Sequence, residues 1–480
     1  MMKKAQNRLT GVISISSKGT GYVAVGGEKN RGQDPEIDYK HLNTALHGDT
    51  VEILLHPKTR GRQAAEVMKI IARAKIRFTG VLSEEKGLFF LKPDDTKMYT
   101  DILIPRTQLH GAKQGQKVFA EIIAWTDPRQ TPEGKITKIL GTAGEHDAEM
   151  HAIAMEKGFD SDFPGKVEHE AKKIKELGIR QSDYALRRDM REILTLTIDP
   201  KDAKDFDDAI SFRELPLLEK ERAGGEVYEV GIHIADVSRY VKPGSALDEE
   251  ARERGTSVYL VDRTIPMLPE ILSNDLCSLV PNQDRLTMSA IFLLDKNAAV
   301  KDTWFGRTII HSQKRFTYEE AEKSIQTPSA PLHKELATLN NLAKKLTQER
   351  FAQGAISLDQ EEVKFVLDTN GTPLRVEIKE RGDSNRLIEE FMLLANKKVA
   401  EVLSPKKSRR PEGSGSRPQA SGKEDAHVSI YRVHDYPSKE KMADLAAFLR
   451  SLGLKAPLVE GIIPSREINN LLKSLGEKEK

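Results

Sequence analysis

Five aspartates fall within ten positions of the stretch TIDPKDAKDFDDAISF (197–212). They are Asp199, Asp202, Asp205, Asp207 and Asp208, set beside apolar Ile198, Phe206, Ala209 and Ile210. Carboxylates this close repel one another, so a fold that gathers them either raises their pKa values or places a cation between them. Oxygen-only donors select a hard ion, Mg2+ or Mn2+, over zinc. Asp199 at a strand end, with Asp205, Asp207 and Asp208 on the following turn, could supply one or two such ions. Two divalent ions about 4 Å apart stabilise the attacking and departing oxygens of phosphodiester hydrolysis. A calcium loop counted from Asp199 would want Gly and Glu at its sixth and twelfth positions, where Lys204 and Ile210 stand. Asp-x-Asp also occurs in sugar-nucleotide enzymes and in solvated turns, and spacing alone leaves those readings open.

The elements that must position these groups can be read from hydrophobic periodicity. The segment EILTLTID runs into the cluster as a strand, and VYEVGIHIADVSRYV (227–241) reads as strand and turn. EEAEKSI, HKELATLNNLAKKLTQERFAQG and RLIEEFMLLANKKVAEVL (386–403) have helical spacing, whereas VKFVLDTNGTPLRVEI (363–378) reads as a hairpin turning on Asn370-Gly371. Residues 191–480 are thus expected to form a mixed α/β domain, with a polar, basic, Pro/Gly/Ser-rich insertion at 404–427. A helical linker spans 142–190. Its His146, His151 and His169 share no ligand-like pair on one helix face and read as solvated.

The first 140 residues repeat. RLTGVIS (8–14) returns as RFTGVLS (77–83), and HGDTVEILL (47–55) is echoed by QGQKVFAEII (114–123). Short strands at this density predict two small five-stranded barrels, 8–72 and 75–141. Lys18 and Tyr22 in SKGTGYVAV, and Phe89 beside Phe90 in EKGLFFLKP, supply the aromatics and lysines that base stacking and phosphate attraction require. The same aromatics could be plain core, and strand alternation predicts one of Phe89 and Phe90 to be buried.

Charge divides along the chain in the same way. Residues 1–140 hold 23 Lys+Arg against 15 Asp+Glu, which leaves 52 against 58 for the remainder and hides a basic front and an acidic back behind a net charge of +2. A basic front suits a polyanionic partner. The single cysteine, Cys277, excludes an intramolecular disulfide and a multi-cysteine zinc site and is expected to be a small buried residue. No apolar run approaches the roughly 18 residues of a membrane span or the core of a secretory signal, so cytoplasmic residence and no membrane partner are expected.

Beyond spacing, the wording of IDPKDAKDFDDA, HIADVSRYVKPGSALDEEARERGTSVYL, RTIPMLPEILSNDLCSLVPNQDRLTMSA and RLIEEFMLLAN closely resembles the ribonuclease II/ribonuclease R (RNB) family of exoribonucleases, in family order from about 187 to 403. The two N-terminal units resemble cold-shock-type oligonucleotide-binding barrels. The resemblance implies processive 3′→5′ hydrolysis of single-stranded RNA to nucleoside 5′-monophosphates by a monomer dependent on Mg2+ or Mn2+. It implies that Asp199, Asp205, Asp207 and Asp208 bind the metal, with Asp208 most needed for turnover. Tyr259 in RGTSVYL would hold the RNA 3′ end, and Glu389, or Glu390 beside it, would lie near the terminal nucleotides.

The chain departs from the family pattern twice. Leu358, in GAISLDQEE, stands where members carry a Phe, removing a stacking partner worth about 1–3 kcal/mol per base. No Ser-Pro-Ile-Arg-Arg segment, whose arginine supports catalysis in the family, occurs in the sequence. The catalytic domain is therefore expected to be incomplete at its C-terminus: a fragment, an early stop, or half of a split enzyme whose partner chain carries the rest. The competing expectations are a non-catalytic RNA-binding protein and a metal enzyme acting on another phosphate ester.

Overall fold

The computed structural model describes residues 7–24, 34–57, 62–216, 226–356, 362–368, 371–378, 381–403 and 437–476. The expected insertion 404–427, Leu358 and Asn370 lie outside them. Among the described residues no helix is long and apolar enough to cross a membrane. The chain divides into two compact units, one of 1–163, 254–267 and 367–374, the other of 164–253, 268–366 and 375–480.

In the first unit the sequence repeat becomes a repeat of strands. β1 (Arg8–Ile15), β2 (Gly21–Val23), β3 (Glu36–Ile37), β4 (Thr50–Leu55) and β5 (Ala65–Ala72) form a sheet ordered β3-β2-β1-β4-β5. A parallel bridge between Glu36 and Ala64 brings its last strand back to the first. β6 (Arg77–Glu85), β7 (Leu88–Pro93), β8 (Ile102–Ile104), β9 (Gln116–Ala124) and β10 (Glu133–Thr142) close into a barrel. The two sequence echoes are the antiparallel pairs β1·β4 and β6·β9. Alternating Ile13, Ile15, Val51 and Ile53 fill the first interior, and Leu82, Leu91, Ile102 and Val118 fill the second. Helix α1 (His146–Glu156) lies on the second barrel, where Glu156 accepts from the Thr79 amide and hydroxyl and pairs with Lys75.

The second unit contains α2 (Gly165–Leu177), α3 (Gln181–Ala185) and a seven-stranded sheet. Its strands are β11 (Arg188–Asp189), β12 (Thr195–Asp199), β13 (Asp208–Glu214), β14 (Val227–Ala235), β17 (Asp284–Asp295), β18 (Val300–His311) and β19 (Lys314–Thr317), ordered β11-β18-β17-β14-β13-β12-β19. A short hairpin of β15 (Val258–Tyr259) and β16 (Thr264–Ile265) belongs to the first unit. One sheet face presents Leu196, Ile198, Ile210, Ile232 and Phe292 to helices α5 (Tyr318–Gln326), α6 (His333–Ala352) and α7 (Asp383–Leu403), whose Ala321, Leu336, Leu339, Leu387 and Phe391 complete the main core. Helix α4 (Ala246–Arg254) follows the turn after β14.

The opposite face of this sheet is a buried polar strip. His233 lies between Ser289 (2.7 Å) and Ser211 (2.9 Å), and Ser289 continues to Thr308 at 2.6 Å. Gly231 makes room for it, since a Cβ there would lie 2.4 Å from Ser211 Oγ and 2.7 Å from His233 Nε2. β20 (Val363–Leu367) and β21 (Pro373–Ile378) form the expected hairpin, with Gly371 at φ +82° in its turn. Helices α8 (Lys439–Ser451) and α9 (Ser465–Gly476) share a small core of Met442, Ala446 and Ile463.

Two expectations are corrected. Neither Phe89 nor Phe90 is fully buried, because Leu82 and Leu91 occupy the barrel centre and both rings stay half-buried. His146 is not solvated: its Nε2 lies 3.2 Å from the Asp262 carboxylate and its side chain is only 23% exposed. His169 is exposed as expected. Cys277 is buried, which pushes its thiol up to about 12 and makes it a poor nucleophile.

Candidate active site

The aspartate loop connects two neighbouring antiparallel strands. Asp199 ends β12 and Asp208 begins β13, so Thr195↔Ser211 and Leu196↔Ile210 pairing brings both ends to one edge of the core. Pro200 cannot donate to a continuing ladder, and the turn carrying Asp205 and Asp207 follows. Side chains distant in sequence then fasten the turn. The Phe206 amide donates to Ser278 Oγ (2.9 Å), whose own hydroxyl donates to the Lys204 carbonyl (2.9 Å). The Leu279 amide returns to the Phe206 carbonyl (2.8 Å), and the Ala235 amide bonds the Asp207 carbonyl (2.9 Å). On the other side Arg315, from β19, donates to the carbonyls of Pro200 (2.5 Å) and Lys201 (3.1 Å) and lies over the Phe206 ring at 5.4 Å.

This arrangement makes ionisation costly. Burial raises the Asp199 carboxyl to about 6, with the nearby Thr197 hydroxyl and then Arg315 opposing the shift and Asp205 and Asp207 adding repulsion. Burial likewise raises Asp208 to about 7, followed by repulsion from Asp199 and Asp207. Asp207 reaches solvent, yet the low-dielectric surroundings of the loop, then Asp205, shift it upward too. The buried Asp199 Oδ2 has no hydrogen-bond partner. Tyr318 opens α5, capped by a reciprocal Thr317–Glu320 pair. Its phenol is held above the ordinary range by burial, then by Asp208 and Asp199. A cleft of about 870 Å3 begins beside it, lined by Lys201, Lys364, Arg381, Glu319 and Glu322 among others.

The chemistry of this donor set suits a hard divalent cation: all oxygen, several carboxylates repelling one another, and one buried oxygen unpaired. The side chains are not drawn together at ligating distance, since no three His, Cys, Asp or Glu among the described residues form such a group. The carboxylates are electrostatic neighbours, and closing them into a ligand shell requires positive charge.

The remaining residues singled out from sequence lie elsewhere. Tyr259 is 66% exposed on the β15–β16 hairpin of the first unit, which is tied to α1 by Arg263 with Asp147 (2.5 Å) and by Asp262 with His146. Glu389 is exposed on α7, whereas Glu390 is buried and paired with Arg350 at 2.5 Å, a structural role. Lys18 is exposed in the β1–β2 turn, Tyr22 is half-buried with Arg62 over its ring at 5.1 Å, and Phe89 carries Arg106 at 5.6 Å. Sequence reading passed over Ser278, Arg315 and Tyr318. Only the Thr-x-x-Glu capping signature of TYEE flags the last pair's position, because contacts spanning about a hundred residues leave no periodicity.

Comparison with known proteins agrees with this architecture. The RNB domain model matches residues 187–479, and the cold shock domain model matches 90–164. The chain belongs to the RNB family. It is 36% identical over 448 residues to Ribonuclease R of Thermotoga maritima, covering 91% of this chain and 58% of that one. It is 33% identical over 477 residues to Ribonuclease R of Escherichia coli, covering 98% and 54%. The chain therefore spans little more than half the length of these relatives. In fold it is similar to Mycoplasma genitalium RNase R in complex with ribose methylated single-stranded RNA (TM-score 0.80, 24% identity, 97% of this chain and 70% of that one). It also resembles yeast Ssd1, a pseudonuclease (TM-score 0.55, 19% identity, 84% and 55%).

Proposed function

We propose that the chain carries the hydrolytic site of a 3′→5′ exoribonuclease that degrades single-stranded RNA processively to nucleoside 5′-monophosphates. The aspartate loop supports this reading above all, because it holds carboxyls with raised proton affinity, and an unpaired buried oxygen, at the sheet edge of an RNB domain. In this reading Asp199, Asp205, Asp207 and Asp208 hold Mg2+, with Mn2+ as a substitute. Bound there, the ion supplies positive charge for a nucleophilic water and for the phosphate under attack. Ser278 and Arg315 position the loop through its backbone, and Tyr318 offers a neutral hydroxyl beside acceptor-only carboxylates. Hydrolysis breaks the bond from phosphorus to the ribose 3′ oxygen and leaves the phosphate on the released nucleotide.

Tyr259 is proposed to hold the 3′-terminal nucleotides and Glu389 to lie near them, whereas Tyr22, Phe89 and Lys18 engage RNA on the barrels. The limits 8–72, 75–141, 142–190 and 191–480 are proposed as the working domains of a cytoplasmic monomer. The test incubates the 480-residue chain and Asp208→Asn with 5′-labelled single-stranded RNA and Mg2+. A ladder shrinking to a short 5′ end-product in the first and absent in the second is expected. Intact but bound RNA in both would favour the second reading, a non-catalytic RNA-binding protein, which draws support from the carboxylates' lying apart.

A further inference from the structure

The row of cross-strand neighbours that begins at Asp208 does not end there. Asp208 pairs with Ile234, Ile234 with Met288, and Met288 with Arg307, a line across β13, β14, β17 and β18 within one unit. Strands sit about 4.8 Å apart, so three steps carry it roughly 14 Å from the aspartates. This row lies on the face whose neighbouring positions, Ile232, Ala290 and Phe292, are buried under the helices. Ile234 and Met288 are nevertheless 42% and 44% exposed. Two large apolar side chains are therefore left uncovered between an acidic site and a basic one.

At its far end the row meets a cavity of about 170 Å3 lined by Asp183, Leu186, Arg187, Asp236, Ser238, Arg239, Lys242 and Arg307. Four cations face two carboxylates there, and both carboxylates are already occupied. Asp236 is held by the buried Arg187 (2.5 Å) and by the Ser238 hydroxyl (2.6 Å). Asp183 accepts from Arg239 Nε (2.5 Å) and Nη2 (2.8 Å) and from the Arg180 amide. Lys242 donates to the Ser238 carbonyl, and among the described residues neither it nor Arg307 has a carboxylate within ion-pair distance. Two exposed cations without a close ion-pair partner stand at the rim of a concavity, Arg307 feeling Asp236 only at longer range, and with the fixed guanidiniums behind them they make an anion site by charge complementarity.

We propose that Arg307 and Lys242 bind a backbone phosphate of an RNA strand whose 3′ end lies at Asp208, with Ile234 and Met288 as the apolar floor between. This rests on the RNA-hydrolysing reading. The occupant is a phosphodiester of the strand rather than a free nucleotide, because the uncovered row joins the cavity to the aspartates without interruption.

The test is RNA binding by fluorescence anisotropy in EDTA, where no hydrolysis occurs, over a series of salt concentrations. Each phosphate contact on a single strand contributes about 0.7 to the slope of log K against log salt. Arg307→Gln/Lys242→Gln is expected to bind an oligoadenylate about tenfold more weakly and to lower that slope by about 0.7. The control Lys172→Gln/Lys173→Gln removes the same charge from exposed positions on α2 and is expected to leave both unchanged. Equal thermal melts of both variants show that folding is intact, as expected for exposed side chains. A double variant matching wild type in affinity and slope overturns the inference while RNA hydrolysis stands. A variant that loses only AMP binding overturns it in favour of a free-nucleotide site. Wild type that does not bind RNA at all refutes the parent reading instead, and the inference with it.

Discussion

Replacing Asp208 by Asn should stabilise the metal-free protein, although the same change is expected to abolish turnover. The Asp208 carboxyl sits at about 7 in the fold, against about 3.9 for an unfolded aspartate. The folded state therefore holds this proton more tightly. Its stabilising effect is complete below about pH 4 and is lost as pH rises through 7. Three pKa units correspond to about 4 kcal/mol at pH 8. Residual solvent contact and the coupling to Asp199 reduce that to about 2–4 kcal/mol. Asn mimics the protonated group at every pH. Asp208→Asn should thus melt about 5–10 °C above wild type at pH 8 in EDTA, with the gap about halved by pH 5.5 and closed near pH 4. Comparing the two proteins at each pH cancels the titrating groups that do not interact with Asp208, leaving its coupling to Asp199 and Asp207 in the difference. Differential scanning calorimetry of the catalytic domain's transition is the assay. Excess Mg2+ should raise the wild-type transition and leave the variant's nearly unmoved. A variant less stable than wild type at pH 8 without metal, or a gap that does not change with pH, would refute the electrostatic account of the cluster.

His233 provides the opposite pH dependence. Buried between Ser211 and Ser289, its ring is depressed to about 3, so stability falls as pH drops below about 6.5 and is lost by up to 1.4 kcal/mol per unit until about pH 3. The stability gap between wild type and His233→Gln should narrow over that range in urea titrations, and a constant gap would contradict the assignment. Arg350→Met, which leaves Glu390 buried and unpaired, is expected to cost about 3–5 kcal/mol. Glu389→Gln at its exposed neighbour should stay within about 0.5 kcal/mol in the same chemical denaturation. Ser278→Ala removes the side chain that both accepts from Phe206 and donates to Lys204. It should cost about 1–3 kcal/mol and lower RNA hydrolysis with all four aspartates intact. Unchanged turnover would show that the loop holds its shape without it.

The sequence by itself determined the repeated strands of the N-terminal half, the helices read over 333–354 and 386–403, and the identity of the clustered aspartates. Each of these is a local pattern: period-two alternation, helical spacing, or a run of like charges within one turn. It also pointed to a hard cation through donor chemistry alone. Only the tertiary structure decided which of two adjacent glutamates is exposed, since Glu389 and Glu390 differ solely in the direction they leave α7. Tertiary structure likewise turned His146 from a solvated residue into the partner of Asp262, and placed Ser278 and Arg315 against the backbone of the aspartate loop. The row from Asp208 to Arg307 exists only in the register of four strands drawn from a hundred residues of chain. Burial, charge compensation and cross-strand register depend on distances between segments remote in sequence, and no local pattern encodes those distances.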